Sequence, residues 1–358
     1  MNFRVFAVVA AALALSACNS GSPQVTAVPI PSPTAPPAGS IGTLGTLTKI
    51  ASTIDVGTGA GAGDQNPYGL TIAPITAGLE TAGDLIVCNF NDAANVQGNG
   101  TTIEDINPTP GSIPKRIAQA ASLQGCNAVA MAPNGNIWAA AYTANDNPIV
   151  SPAGTINTTL AQNTWYGPWG QAFNGGTASA PTFFETNAKN GSVTRIHIMP
   201  GPTFSFDTIL TGLTYSGVPG TLLAPAGLSY DKTTDSLYIV DSNANRVIKI
   251  ASATTAPANT YAASGSGFNS SNVSVVYAGA PLSAPISSAL LANGDLVVGN
   301  TANNNLVEIS PSGTLVGTKT VDSGVAGAIF GIAATTVSGA QYIYFNDDNT
   351  NSVVRLSP

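Results

Sequence analysis

Charge is scarce in this chain of 358 residues: only 8% of its side chains are Asp, Glu, Lys or Arg, and the formal net charge is −7. Basic residues occur singly or as the lone pair Lys115-Arg116. Phosphate backbones are bound by clustered cations, so nucleic acid is excluded as a partner. Histidine is scarcer still. His197 is the only one, which rules out a zinc site built on three histidines and leaves any Ser-His-Asp arrangement dependent on that residue. His197 lies in the alternating segment RIHIMP, in a third-strand position remote from any axis, where a structural role suffices. Gly57 to Gly63 is glycine-rich but has no lysine, so it is not a phosphate loop. No catalytic residue is expected from these absences.

Cysteine is also sparse, with three in the whole chain. Cys18 ends the sequence Leu15-Ser16-Ala17-Cys18, behind Arg4 and the apolar run Val5 to Leu15. That run is too short for a permanent membrane span and has the layout of a secretory signal. Its end matches a bacterial lipobox, with residues 1–17 as signal peptide and Cys18 as the lipidated first residue. Several acyl chains on one residue, each methylene adding about 0.8 kcal/mol, hold a domain at a membrane durably. Asn19 is not the aspartate that retains such proteins at the inner membrane, so the expected address is the bacterial cell envelope, at the periplasmic side of the outer membrane. Arg4 is the only charged residue before Cys18, leaving 10 basic against 18 acidic side chains and a formal charge of −8. Residues 18–46, with prolines at 23, 29, 31, 33, 36 and 37 and no charge, read as a disordered tether. Cys88 and Cys126 remain as an even pair in an oxidising compartment, to be read either as a disulfide or as two buried thiols.

What the chain does have is a repeat. Gly227 to Ile250, GLSYDKTTDSLYIVDSNANRVIKI, reads as three short strands separated by turns of Asp, Ser and Asn. The pattern recurs with second strands starting near Asp84, Asn136, Thr182, Ser236, Asp295 and Gln341, at intervals of 52, 46, 54, 59 and 46 residues. Those intervals leave room for a fourth, outer strand in each unit, and one such sheet cannot bury its faces alone. Six units of four strands predict an all-β, six-bladed β-propeller over residues 47–358, a single domain and a monomer. The last unit stops after its third strand at Pro358, and the alternating run Leu47 to Ile54 is free to supply its outer strand and close the ring. Placed on such a ring, Cys88 ends one blade's second strand and Cys126 opens the next blade. They then lie on one face, which favours a disulfide between adjacent blades.

These units, most clearly DSNANRVIKI at Asp241 to Ile250, resemble NHL-repeat β-propellers and the broader gluconolactonase-like and YVTN-type lipoprotein group. The resemblance implies a binding or scaffold module for an envelope protein or small ligand. It also implies an alternative, a metal-dependent hydrolase of the gluconolactonase type. In that group a carboxylate with Asn and Asp residues on the inner strands holds a metal that polarises a lactone carbonyl. The lyase members of the group have a three-histidine metal site that this chain cannot supply. Here the inner-strand openings, PYGLTIAP, CNAVAMAP, GQAFNG, AGLSYD, SSALLA and FGIAAT, contain no Glu, and Asp231 falls at the far end of its strand. No cofactor is expected, and a divalent cation in the axial channel would fall first to Asp347 and Asp348. The reading is non-catalytic, with Trp165, Tyr166 and Trp169 either as a candidate ligand surface or as a buried plug between blades two and three. Tyr261 to Asn272 is expected as a long surface loop.

Overall fold

A computed structural model describes residues 40–160, 165–175, 181–201, 203–216 and 223–358. The signal segment, Cys18 and most of the expected tether lie outside the described residues. Six sheets, each with a core of four antiparallel strands, follow one another along the chain. Consecutive inner strands pack side by side around a central axis. Blade one is Gln65–Ile72, Leu85–Asn91, Thr102–Ile106 and Lys115–Gln119. Blade two is Cys126–Met131, Ile137–Ala141, Asn147–Val150 and Ile156–Leu160. Blade three begins Pro168–Phe173 and Thr182–Asn187, continues Ser192–Met199, and ends on Thr203–Thr211. Blades four and five start at Pro225–Asp231 and Pro285–Leu290, and blade six at Ile329–Val337. Each second strand begins within one residue of the position its repeat predicts.

The ring closes through its ends. Thr46–Ser52 runs antiparallel to Ser352–Ser357 as blade six's outer strand, with Leu47 opposite Leu356 and Ser52 opposite Ser352. Ile50 and Ala51 are buried there. The tether does not run to Thr46, as its composition suggests. Ser40, Ile41 and Leu44 are buried, and Ile41 and Leu44 pack with Val297, Leu306, Val321 and Ile343 of blades five and six. The Ile41 amide donates to the Glu308 carboxylate at 2.8 Å. Two large aliphatic side chains among otherwise small or proline residues are enough to dock this segment, since each contributes about 1.5–3 kcal/mol on burial.

Two devices hold blade to blade. Cys88 and Cys126 form a disulfide with Cα atoms 5.8 Å apart, joining blade one's second strand to blade two's inner strand. The second device is built on asparagines of the hairpin turns. The turn asparagines Asn145, Asn245, Asn304 and Asn351 all adopt positive φ, between 45° and 60°. Their side chains do not serve only their own turns. Each Oδ1 accepts from a backbone N–H at the entry to the next blade: Gly167 at 2.7 Å, Ala284 at 2.7 Å, Ala328 at 3.0 Å and Asn66 at 2.8 Å. The last of these spans the closure from blade six to blade one.

The segment Tyr261 to Asn272 is not a plain loop. Tyr261–Ser264 and Gly267–Phe268 form a hairpin, and Tyr261–Ser264 adds parallel to Thr203–Thr211, extending blade three to six strands. A connection within blade four thus covers the outer edge of blade three.

Candidate axial binding site

The site follows from a small residue repeated at one place. Every inner strand slips register against its second strand at the same step. There the chain carries Gly69, Ala128, Gly170, Gly227, Ser287 or Gly331. These residues let the inner strands touch. A Cβ on Gly170 would sit 2.0 Å from the Ala226 carbonyl oxygen, and one on Gly227 2.6 Å from the Ser287 Cα. The residues just before them, Tyr68, Asn127, Trp169, Ala226, Ile286 and Phe330, are thereby brought round the axis.

Tyr68, Trp169, Ile286 and Phe330 border both axial cavities and form the septum between them. Tyr68 is sandwiched between Phe330, with ring centroids 3.7 Å apart, and Phe90 at 4.3 Å. Trp169 stands edge-on to Phe90 and to Tyr142, at 6.2 and 5.5 Å. Such offset and edge contacts add about 0.5–1.5 kcal/mol each beyond burial, so the septum is a rigid floor.

Above it, at the end where the inner strands begin, is a cavity of about 570 Å³. Its rim comes from interblade entries and turns: Gln97, Thr301, Ala302, Val325, Asp348 and Asn349. Val325 is 75% exposed. Asp348 is the cavity's only charged side chain among the described residues. Its carboxyl is pushed up to about 7 by burial and then by the Asp347 charge beside it. Asn66 Nδ2 donates to it at 3.3 Å, while its other oxygen is buried without a partner. Below the septum a second cavity of about 510 Å³ opens to the opposite face.

The proposed ligand residues do not act together. Trp165 is 1% exposed and packs edge-on to Phe206 between blades two and three; Tyr166 is 50% exposed; Trp169 alone reaches the axis. The Gly167-Pro168 step between them turns the chain from the periphery into the inner strand, which scatters side chains adjacent in sequence. Asp347 and Asp348 stand at the ring's mouth without forming a cage. Thr350 donates to Asp347 at 2.8 Å, and among the described residues no three His, Cys, Asp or Glu side chains converge as a metal site would require. His197 lies on blade three's third strand, Nε2 3.1 Å from Asp207, which also pairs with Arg195. The sequence did hold one signal for the axial site, the glycine following Tyr68, Trp169 and Phe330 in the inner strands of blades one, three and six.

No protein-family model matches the chain, and no curated protein matches its sequence. Solved structures do match in fold. Virginiamycin B lyase from Staphylococcus aureus aligns over 87% of this chain and 99% of its own with a TM-score of 0.54 at 13% identity. A streptogramin B lyase structure aligns at 0.52 and 13%. A propeller in a nidogen/laminin complex covers 80% of this chain at 0.56 and 12%. The expectation of a non-catalytic ring is corrected by these likenesses. The same ring carries an enzyme in one neighbour and stands in a binding complex in another, so the architecture cannot argue against catalysis. The shortage of histidine excludes particular active sites and no more. The chain is a six-bladed β-propeller.

Proposed function

We propose that this propeller is an envelope-anchored receptor for a small uncharged ligand with an apolar body, bound in the upper axial cavity. One observation carries the reading: a cavity of drug-like size has a rigid aromatic floor, a rim of Gln97, Thr301 and Asn349, and a single carboxyl poised near neutrality. A charged ligand would find no partner of opposite sign except Asp348. The neutral dye Nile red is a suitable probe. It is expected to bind saturably with blue-shifted emission, and Ala302→Trp or Asn349→Trp, which fill an exposed rim without touching the core, should weaken it at least about tenfold. Equal binding by both variants would place the ligand elsewhere.

The anchor is a separate part of the proposal. The lipobox Leu15 to Cys18 supports lipidation of Cys18 and residence at the periplasmic side of the outer membrane, from which an extended tether presents the ring to solutes or to an envelope protein. The Cys18→Ser chain should move from the membrane fraction to the soluble one. Persistence in the membrane fraction after a salt wash would refute the anchor.

A further inference from the structure

The lower cavity holds an amide with nothing to bond. Asn127 occupies the axial position of blade two and is only 5% exposed, yet neither its Oδ1 nor its Nδ2 has a hydrogen-bond partner. A buried carboxamide left so is costly, and packing does not require it. The same position is filled in the other blades by Tyr68, Trp169, Ala226, Ile286 and Phe330, so an apolar side chain serves the ring there. Its backbone is well held, since Cys126 beside it is tied to Cys88. One blade further on, Gln171 lines the same cavity. Its Nε2 is committed to Glu185 at 2.9 Å and its Oε1 is buried without a partner. Ser229 and Ser288, also on the wall, satisfy each other at 2.9 Å. No charged side chain lines the cavity among the described residues.

We propose that this cavity is a second binding site, for an uncharged ligand presenting a cis-amide edge, whose N–H and carbonyl pair with the Asn127 carboxamide. A carboxamide offers one donor and one acceptor side by side, so a lactam-like edge satisfies both at once. The body of the ligand rests on Leu70, Val129, Leu228 and Ile332 of the wall. A charged ligand is excluded, because burial here would leave its charge unpaired. The site goes beyond the upper-cavity reading and stands or falls without it.

The test uses 2-piperidone as probe, with N-methyl-2-piperidone and δ-valerolactone as relatives that lack the N–H. The Asn127 side-chain amide signal in the ¹⁵N–¹H spectrum, assigned by its disappearance in Asn127→Leu, should shift saturably with 2-piperidone. Both relatives should bind at least about tenfold more weakly, as expected where a buried polar group is left unpaired. Asn127→Leu should lose the 2-piperidone response while keeping its melting temperature and its Nile red binding, which separates this site from the upper one. Equal binding of the three probes, or no response of the Asn127 signal up to the solubility limit of 2-piperidone, would overturn the proposal. An Asn127 amide saturated by ordered water that 2-piperidone does not displace would overturn it as well. Should Asn127→Leu fail to fold, the comparison of the three probes on the unaltered chain still decides.

Discussion

A chain beginning at Val56 is expected to lose its cooperative unfolding transition, whereas one beginning at Ser40 keeps the melting temperature of the longer protein. The first deletion removes the whole outer strand of blade six, exposing Ser352–Ser357 as an unpaired edge. It also removes Ile41, Leu44 and Ile50, all buried. At about 1.5–3 kcal/mol for each large aliphatic side chain, these three alone approach the 5–15 kcal/mol by which a native domain exceeds its unfolded chain. The Glu308 carboxylate would in addition lose the Ile41 amide that it accepts from, while remaining buried. Calorimetry of the two chains side by side checks this. An unchanged transition in the chain beginning at Val56 would mean that blade six is stable with three strands and that closure is not the work of the N-terminal strand.

Stability should also fall as pH rises from 5 to 7, opposite to the trend set by surface carboxylates held in ion pairs. Glu104 and Glu185 are fully buried. Burial, then the Asp55 charge, pushes the Glu104 carboxyl up to about 9; burial pushes Glu185 to about 8 against the hydrogen bonds it accepts from Gln171 and Asn147. Both folded values lie above the unfolded one, so between about pH 4.5 and 8 the folded chain holds protons that the unfolded chain has released. Stability from these groups is therefore complete at low pH and is lost upward, by about 1.4 kcal/mol per pH unit for each. Groups held low, such as Asp55 beside Arg116, titrate below this window and do not mask the slope. The melting temperature should drop by roughly 5 °C per unit across it. Glu104→Gln with Glu185→Gln should make the profile shallower without levelling it, because burial also pushes the carboxyls of Glu80, Asp105, Glu308 and Asp348 up to about 7 and their contributions have the same sign. A melting temperature that rises from pH 5 to 7 in the unaltered protein would contradict the assignment.

Much of the ring was legible because its signal is periodic. Ser236–Asp241 and Arg246–Ala251 coincide with the second and third strands read from alternation and turn residues, and Thr46–Ser52 overlaps the alternating run beginning at Leu47. The docking of Ser40–Leu44 was hidden by proline-rich surroundings: composition reports a whole segment, whereas two side chains decide the contact. The asparagine links escaped for a related reason. Asn145, Asn245, Asn304 and Asn351 have the left-handed backbone their turns suggest, but the partners of their side chains lie 22 to 39 residues away or across the ring closure, at a distance no local rule reaches. The axial site was the least legible. Trp165, Tyr166 and Trp169 are neighbours in sequence and strangers in space, while Tyr68, Trp169 and Phe330 are the reverse. By alternation alone Asn127 is one more strand residue. Only its place on the axis, with both amide atoms unpartnered, marks it out.

Whether ligands meet the ring at its axial mouth is decided by a crystal structure of the protein purified without added ligand. An uncharged small molecule is expected above Tyr68, Trp169 and Phe330, within reach of Asn349 and Thr301. A mouth holding only solvent, with a bound molecule on an outer blade edge instead, would contradict it.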